Sequence, residues 1–185
     1  DYVWTDTDNS GTQDVAETGI NGVTVLLFES GADPTSATPV AQTETANNGP
    51  DAGYYQFDNL APGDYFVYIP ASEYAEELSG LASSNGNGAY APDPDDTLVL
   101  TGTFQDDDNG TPNLAGGVAS RDVTLAVGTE TGDGDADDNN NPTVDFGFTA
   151  NVSLGSLVWT DSDNSGTFDS GTETGIDGVT VQLFP

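Results

Sequence analysis

The chain has 185 residues, enough for one domain with a real core and a little more. It carries 32 acidic residues against a single basic one (Arg121) and no histidine, a formal net charge of −31. Such a surface repels nucleic acid and anionic membranes, whose phosphates need Lys or Arg, and it attracts cations.

A charge this large favours disorder, yet 35% of residues are hydrophobic and the aromatics fall in alternating runs, so a folded domain with charged loops is expected. Cysteine and lysine are both missing. Disulfides and Lys–Asn or Lys–Asp isopeptide crosslinks are therefore excluded within this stretch, and a metal ion is the staple left. No apolar run approaches a membrane span, and no signal peptide is visible. The chain starts and stops inside strand patterns, as a window cut from a longer polypeptide is expected to do.

In chain order, DYVW opens on a strand pattern and runs into the acidic loop DTDNSGTQDVAE (6–17). VTVLLF (23–28) is an apolar run too short for a helix. YYQFDNL (54–60) and GDYFVYIP (63–70) alternate across the turn residues APG. SEYAEELSG (72–80) is read as one or two helical turns with Ser72 as a candidate N-cap. RDVTLAV (121–127) puts Val123, Leu125 and Val127 on one face, and TVDFGF (143–148) does the same with Val144, Phe146 and Phe148. Many short strands divided by Gly, Pro, Asn and Asp predict an all-β antiparallel sandwich.

The two ends of the chain repeat one another. DYVWTDTDNSGTQD (1–14) matches SLVWTDSDNSGTFD (156–169), and ETGINGVTVLLF (17–28) matches ETGIDGVTVQLF (173–184), at offsets of 155 and then 156 residues. A repeat of this period is one domain long. The expected organisation is a full repeat over 1–148, a short linker over 149–156, and the first strands and acidic loop of the next repeat over 157–185. Divergence between the copies, such as Phe168 for Gln13 and Gln182 for Leu26, favours tandem repeats in one chain over subunits that exchange a strand through TANVSLGSLVW (149–159).

The acidic loops carry the chemistry. With Asp6 at position 1 of a twelve-residue calcium loop, Asp8, Ser10, Gly11, Thr12, Asp14 and Glu17 fall at positions 3, 5, 6, 7, 9 and 12. Alternate side chains curl round one ion, the glycine permits the sharp turn, and the last Glu closes the far side with two oxygens. In the second copy Asp161, Asp163, Ser165, Thr167 and Asp169 match, while Thr172 takes position 12 and Glu173 falls one place late, so a bulge is needed to bring it in. DPDD (93–96), QDDDNGTPN (105–113) and GDGDADDNNN (132–141) concentrate further acids in Gly/Asn loops. Asp95, Asp106, Asp108, Asp133, Asp135 and Asp137 are the candidate ligands there, giving two or more calcium ions per repeat. A salt-adapted surface, the rival reading, spreads its acids along strands instead. An EF-hand or dockerin needs a helix after each loop, and the β-branched, Gly-punctuated GINGVTV does not supply one.

The succession of GIxGVxVxLF after an acidic loop, GYYQFDNLAPGDYFVYIP, VTLAVGTE and TVDFGF resembles the calcium-binding B-type repeats of bacterial serine-aspartate-repeat adhesins, relatives of the collagen-adhesin B-type domains. The resemblance covers nearly all of 1–148 and restarts at 155. It implies an immunoglobulin-like or transthyretin-like β-sandwich, several calcium ions per domain, and tandem repeats forming a stalk. By similarity the first site is Asp6, Asp8, Ser10, Thr12, Asp14 and Glu17. The isopeptide bond of many collagen-adhesin relatives does not transfer, because the lysine is missing.

The expected function is a structural repeat of an extracellular rod, stalk or filament on a bacterial surface, stiffened by calcium. Its expected partners are neighbouring copies end to end, with filament self-assembly as an extension of the same contacts. The alternative is direct adhesion to a protein or glycan through aromatics such as Tyr54, Tyr68 and Tyr90. Catalysis is not expected: without His, Cys or Lys most nucleophiles, bases and phosphate clamps are gone.

Overall fold

Strands form where alternating apolar runs find a partner on each side, and the fold follows those runs closely. The structure is a computed structural model and describes residues 1–85, 108–112, 116–128 and 139–184. It divides into unit 1, Asp1–Asn151, and unit 2, Val152–Pro185.

Unit 1 contains β1 (Val3–Thr5), β2 (Thr24–Glu29), β3 (Ala41–Glu44), β4 (Ala46–Asn48), β5 (Asp51–Tyr54), β6 (Gly63–Ile69), β7 (Leu81–Ser83), β8 (Thr111–Pro112), β9 (Val118–Ala119), β10 (Val123–Leu125) and β11 (Phe146–Ala150). The larger sheet has the order β3-β2-β6-β9-β8, with β10 also on β6. β10 pairs with the first half of β6 and β9 with its last two residues. Ser120 bridges the interruption, exchanging bonds with the Val67 backbone through its own N–H and its Oγ, each at 2.9 Å. The smaller sheet has the order β1-β11-β7, and β4 and β5 form a separate ribbon.

The core lies between the two sheets. Val25 and Leu27 of β2 and Tyr65, Val67 and Ile69 of β6 pack with Val3 of β1 and Phe146 and Phe148 of β11. Each such side chain removed from water stabilises the fold by about 1.5–3 kcal/mol. The opposite parity of the larger sheet buries a second cluster, Phe28, Phe66 and Tyr68, with Phe28 stacked on Phe66 at 5.4 Å.

Unit 1 is the all-β sandwich the runs predict, with local departures. β1 and β11 are parallel, Val3 opposite Phe146 and Thr5 opposite Phe148, whereas the other ladders are antiparallel. From 55 to 60 the chain leaves the ladder. Val127 is 78% exposed because β10 stops at Leu125 and Gly128 turns the chain at φ 71°. The helical turn is a short 3-10 helix, Ala71–Ala75, whose N-cap is Pro70 rather than Ser72, and no side chain caps it. β11 continues through Thr149 and Ala150, opposite Ala82 and Leu81, so the first two residues assigned to the linker are strand.

In unit 2 the two predicted strands are not formed among the described residues. A single bridge joins Trp159 to Gly175, and Val181, Leu183 and Phe184 are 75–83% exposed where Val25, Leu27 and Phe28 are buried. The physical reason is pairing: β2 holds its shape between β3 and β6, and residues 152–184 contain no counterpart of either.

Candidate metal centre

β1 leads into the first acidic loop, and the loop closes on itself through carboxylates that accept backbone N–H groups. Ser10 N–H donates to Asp6 Oδ1 and Asp8 Oδ1, both at 3.0 Å, and Gly11 N–H donates to Asp6 Oδ2 at 2.9 Å. Asn9 and Gly11 take φ of 57° and 79°, the left-handed region that Asn and Gly enter at least cost. Glu17 returns to the start of the loop, accepting from the Thr7 N–H, the Thr7 hydroxyl at 2.9 Å and the Asp14 N–H at 3.1 Å. One carboxylate oxygen each of Asp6, Asp8 and Glu17 then lies within 4.8 Å of the others. The Ser10 hydroxyl and the Thr12 carbonyl oxygen are 3.0 Å apart beside them. The exposed carboxylate of Asp14 is not part of the close group; its backbone N–H donates to Glu17.

The second loop repeats this bond for bond. Ser165 N–H donates to Asp161 and Asp163 at 3.0 Å, and Gly166 N–H to Asp161 at 2.9 Å. Glu173 takes the place of Glu17, accepting from Ser162 N–H at 2.8 Å and Asp169 N–H at 3.1 Å. The extra residue is absorbed in a turn where both Thr172 and Glu173 N–H donate to the Asp169 carbonyl, at 3.0 and 2.8 Å. Asp161, Asp163 and Glu173 form the second group within 4.8 Å; Thr167 bonds Ser165, and Asp169 takes part through its backbone N–H and carbonyl rather than its carboxylate. The Gly166 N–H, ahead of the other donors to it, holds the Asp161 carboxyl below the usual carboxylate range against the opposing effect of desolvation.

Carboxylates this close repel by about 1 kcal/mol per pair in bulk water and about 4 kcal/mol at the effective dielectric of a protein surface. An all-oxygen, anionic donor set on a sharply turned loop is the chemistry that hard divalent cations require. Asp6, Asp8 and Glu17, with Ser10 and Thr12, are the residues placed to hold one, and Asp161, Asp163 and Glu173, with Ser165 and Thr167, the next.

The first loop is also fastened to the sandwich. Asp6 is fully buried, its N–H donates to the Phe148 carbonyl at 2.8 Å, and Ser84 at the end of β7 donates its hydroxyl to Asp6 Oδ2. Asn9 Oδ1 accepts from Asn85 N–H at 3.0 Å and lies 3.0 Å from the same Ser84 Oγ, whose one hydrogen is shared with Asp6. Asp108 is 1% exposed and binds backbone: its N–H donates to the Gly11 carbonyl at 2.9 Å, and its Oδ1 accepts from Gly110 and Gly147 at 2.9 and 3.2 Å. Among the described residues it joins neither carboxylate group. Asp95, Asp106, Asp133, Asp135 and Asp137 lie outside the described residues.

Sequence reasoning missed Ser84, Asn9, Asn109 and Asp145. Asp145, 2% exposed, accepts from Tyr2 N–H at 2.7 Å and donates its own N–H to Asn109 Oδ1 at 2.7 Å. Its position in TVDFGF has outward parity, and no local signal marks it as buried. Of the aromatics considered for adhesion, Tyr68 is 4% exposed in the second cluster, Tyr54 packs edge-on against Tyr2, and Tyr90 lies outside the described residues.

The family of the SdrD B-like domain matches residues 1–109. Serine-aspartate repeat-containing protein C of Staphylococcus aureus strain MRSA252 is 37% identical over 99% of this chain, and that of strain N315 is 32% identical over 99%. Serine-aspartate repeat-containing protein I of Staphylococcus saprophyticus is 35% identical over 99% of the chain. The chain spans only 14%, 15% and 8% of the N315, MRSA252 and S. saprophyticus relatives. It belongs to the SdrD B-like domain family, which is not a family of enzymes.

Proposed function

We propose that this chain is part of a tandem array of B-type repeats forming an extracellular stalk or filament at a bacterial surface, in which calcium bound to the 6–17 loop clamps each sandwich. The observation that carries this reading is the fastening of the loop. An ion held by Asp6, Asp8 and Glu17 ties together the end of β1, the end of β7 through Ser84, and β11 through the Phe148 carbonyl. The ion then resists the shearing apart of strands from both ends of the unit.

The parallel pairing of β1 with β11 supports the array. Because the two strands point the same way, the chain enters unit 1 at one pole and leaves at the other, as an end-to-end series requires. The 6–17 loop lies at the downstream pole, beside Phe148. Calcium suits the donor set through its tolerance of irregular oxygen coordination, and sites in extracellular modules bind at around 0.1–1 mM. Calorimetric titration of the 185-residue chain with calcium tests the reading. Saturable binding in that range, lost in Glu17→Gln and Glu173→Gln together, supports it; no heat beyond dilution overturns it.

A further inference from the structure

We infer that the linker preceding a B-type repeat extends its β1 edge, pairing with the segment after β5 and inserting Leu154 among the apolar side chains of a mixed polar and apolar cavity at the upstream pole. This rests on the tandem reading but not on calcium. In unit 1 an open cavity of about 420 Å³ is lined on one part by Phe57, Leu60, Leu125 and Val144 and on another by polar residues such as Asp1 and Asn141. Phe57, Leu60 and Leu125 are only partly buried there.

The register at the cavity rim identifies the occupant. Tyr2 is bridged antiparallel to Tyr54, the Tyr55 N–H donates to the Asp1 carbonyl at 2.7 Å, and the Asp1 nitrogen donates to the Tyr55 carbonyl. Each further residue back from Asp1 therefore steps one residue forward from Tyr55. The position two before Asp1 falls opposite Phe57, where among the described residues neither the N–H nor the carbonyl has a hydrogen-bond partner. Alternate residues of a strand share a face, so that position projects with Asp1, which lines the cavity, and Val3, which is fully buried. The repeat offset of 155 carries Asp1 to Ser156, and two before it is Leu154. Leu154 is 88% exposed and Val152 is 96% exposed in unit 2, and residues 152–184 contain no counterpart of the cavity-lining stretches 54–67, 123–127 and 139–144. The ladder stops at Asp58, because Asn59 takes a φ of 59°, leaving Val152 over the turn.

The test places the five residues Asn-Val-Ser-Leu-Gly, the sequence of 151–155, before Asp1 of the full chain and follows amide hydrogen exchange by NMR. The expected result is that the Phe57 amide exchanges at least about tenfold more slowly than in the unextended chain, and that Leu→Ser in the added segment removes the gain. Equal Phe57 exchange with and without the extension overturns the inference, and so does protection that persists in the Leu→Ser version. Protection already present in the unextended chain and rising with protein concentration assigns the slot to a second copy, and likewise overturns it. Calcium titration of the same versions reads the clamp separately, so either idea fails without the other.

Discussion

The Ser84 hydroxyl, at the end of β7, donates a hydrogen bond to Asp6, the first acid of the loop, across 78 positions of sequence. The bond is buried, and it orients the carboxylate while satisfying one of its oxygens. Ser84→Ala is expected to cost about 1 kcal/mol in urea unfolding, the usual net value of one buried bond. Its calcium affinity should fall about tenfold, the low end of what loss of an orienting partner costs a metal site. Calorimetry on the variant checks the second figure. An unchanged affinity would make Ser84 a structural contact only.

Removing either of two carboxylates from the first group acts on binding directly. Asp6→Asn removes the charge and turns one of two accepting oxygens into an NH2 donor, while Glu17→Gln removes the closing anion of the group within 4.8 Å. Both variants should fold. With calcium at about 100 times the wild-type Kd, each should forfeit most of the roughly 2.7 kcal/mol that one saturated site adds by mass action. The difference between unfolding in calcium and in chelator, compared with wild type, is the measurement.

Tyr55 predicts the alkaline limit of the fold. Its hydroxyl donates to the Val144 carbonyl inside the core, and burial, with a smaller push from Asp145, raises its pKa well above the ordinary 10.0. The unfolded chain ionises near the ordinary value and the folded one does not. The contribution of Tyr55 is therefore complete below pH 10 and is lost as pH rises above it towards the folded value. Tyr55→Phe should flatten that decline in stability while lowering stability at neutral pH by about 1 kcal/mol, as urea melts across pH will show.

Gly53 closes β5 against β1. It adopts φ 84°, and an added Cβ would lie 2.2 Å from the Val3 carbonyl oxygen. Gly53→Ala is expected to destabilise unit 1 by more than about 3 kcal/mol, through strain and the displacement of β1. A loss under about 1 kcal/mol would mean that β1 moves freely against β5.

The legible parts of the fold were those written in local pattern. VTVLLF and GDYFVYI became β2 and β6 because their alternate residues had a core to enter, and the spacing of Asp6, Asp8 and Glu17 brought their carboxylates together. Glu173, one place late by count, reached its group because one tightened turn absorbed the extra residue. What was not legible depended on distant partners. The parallel register of β1 on β11 is set by strands at opposite ends of unit 1. Asp145 is buried by Tyr2 and Asn109, neither of them near it in sequence. GVTVQLF matches β2 almost letter for letter, yet without neighbours to pair with it stays exposed. Asp108 accepts backbone N–H groups through Oδ1, which acid density alone does not reveal, and the acids expected to share an ion with it lie outside the described residues.

The most direct test of the calcium clamp is the melting of the full chain in millimolar calcium and again after chelator, with Asp6→Asn alongside. A calcium clamp should raise the midpoint by roughly 5–10 °C for one saturated site in a unit of this size, reversed by chelator and nearly absent in the variant. Superimposable melts with and without calcium would contradict it, and would leave the acidic loops as a solvated surface.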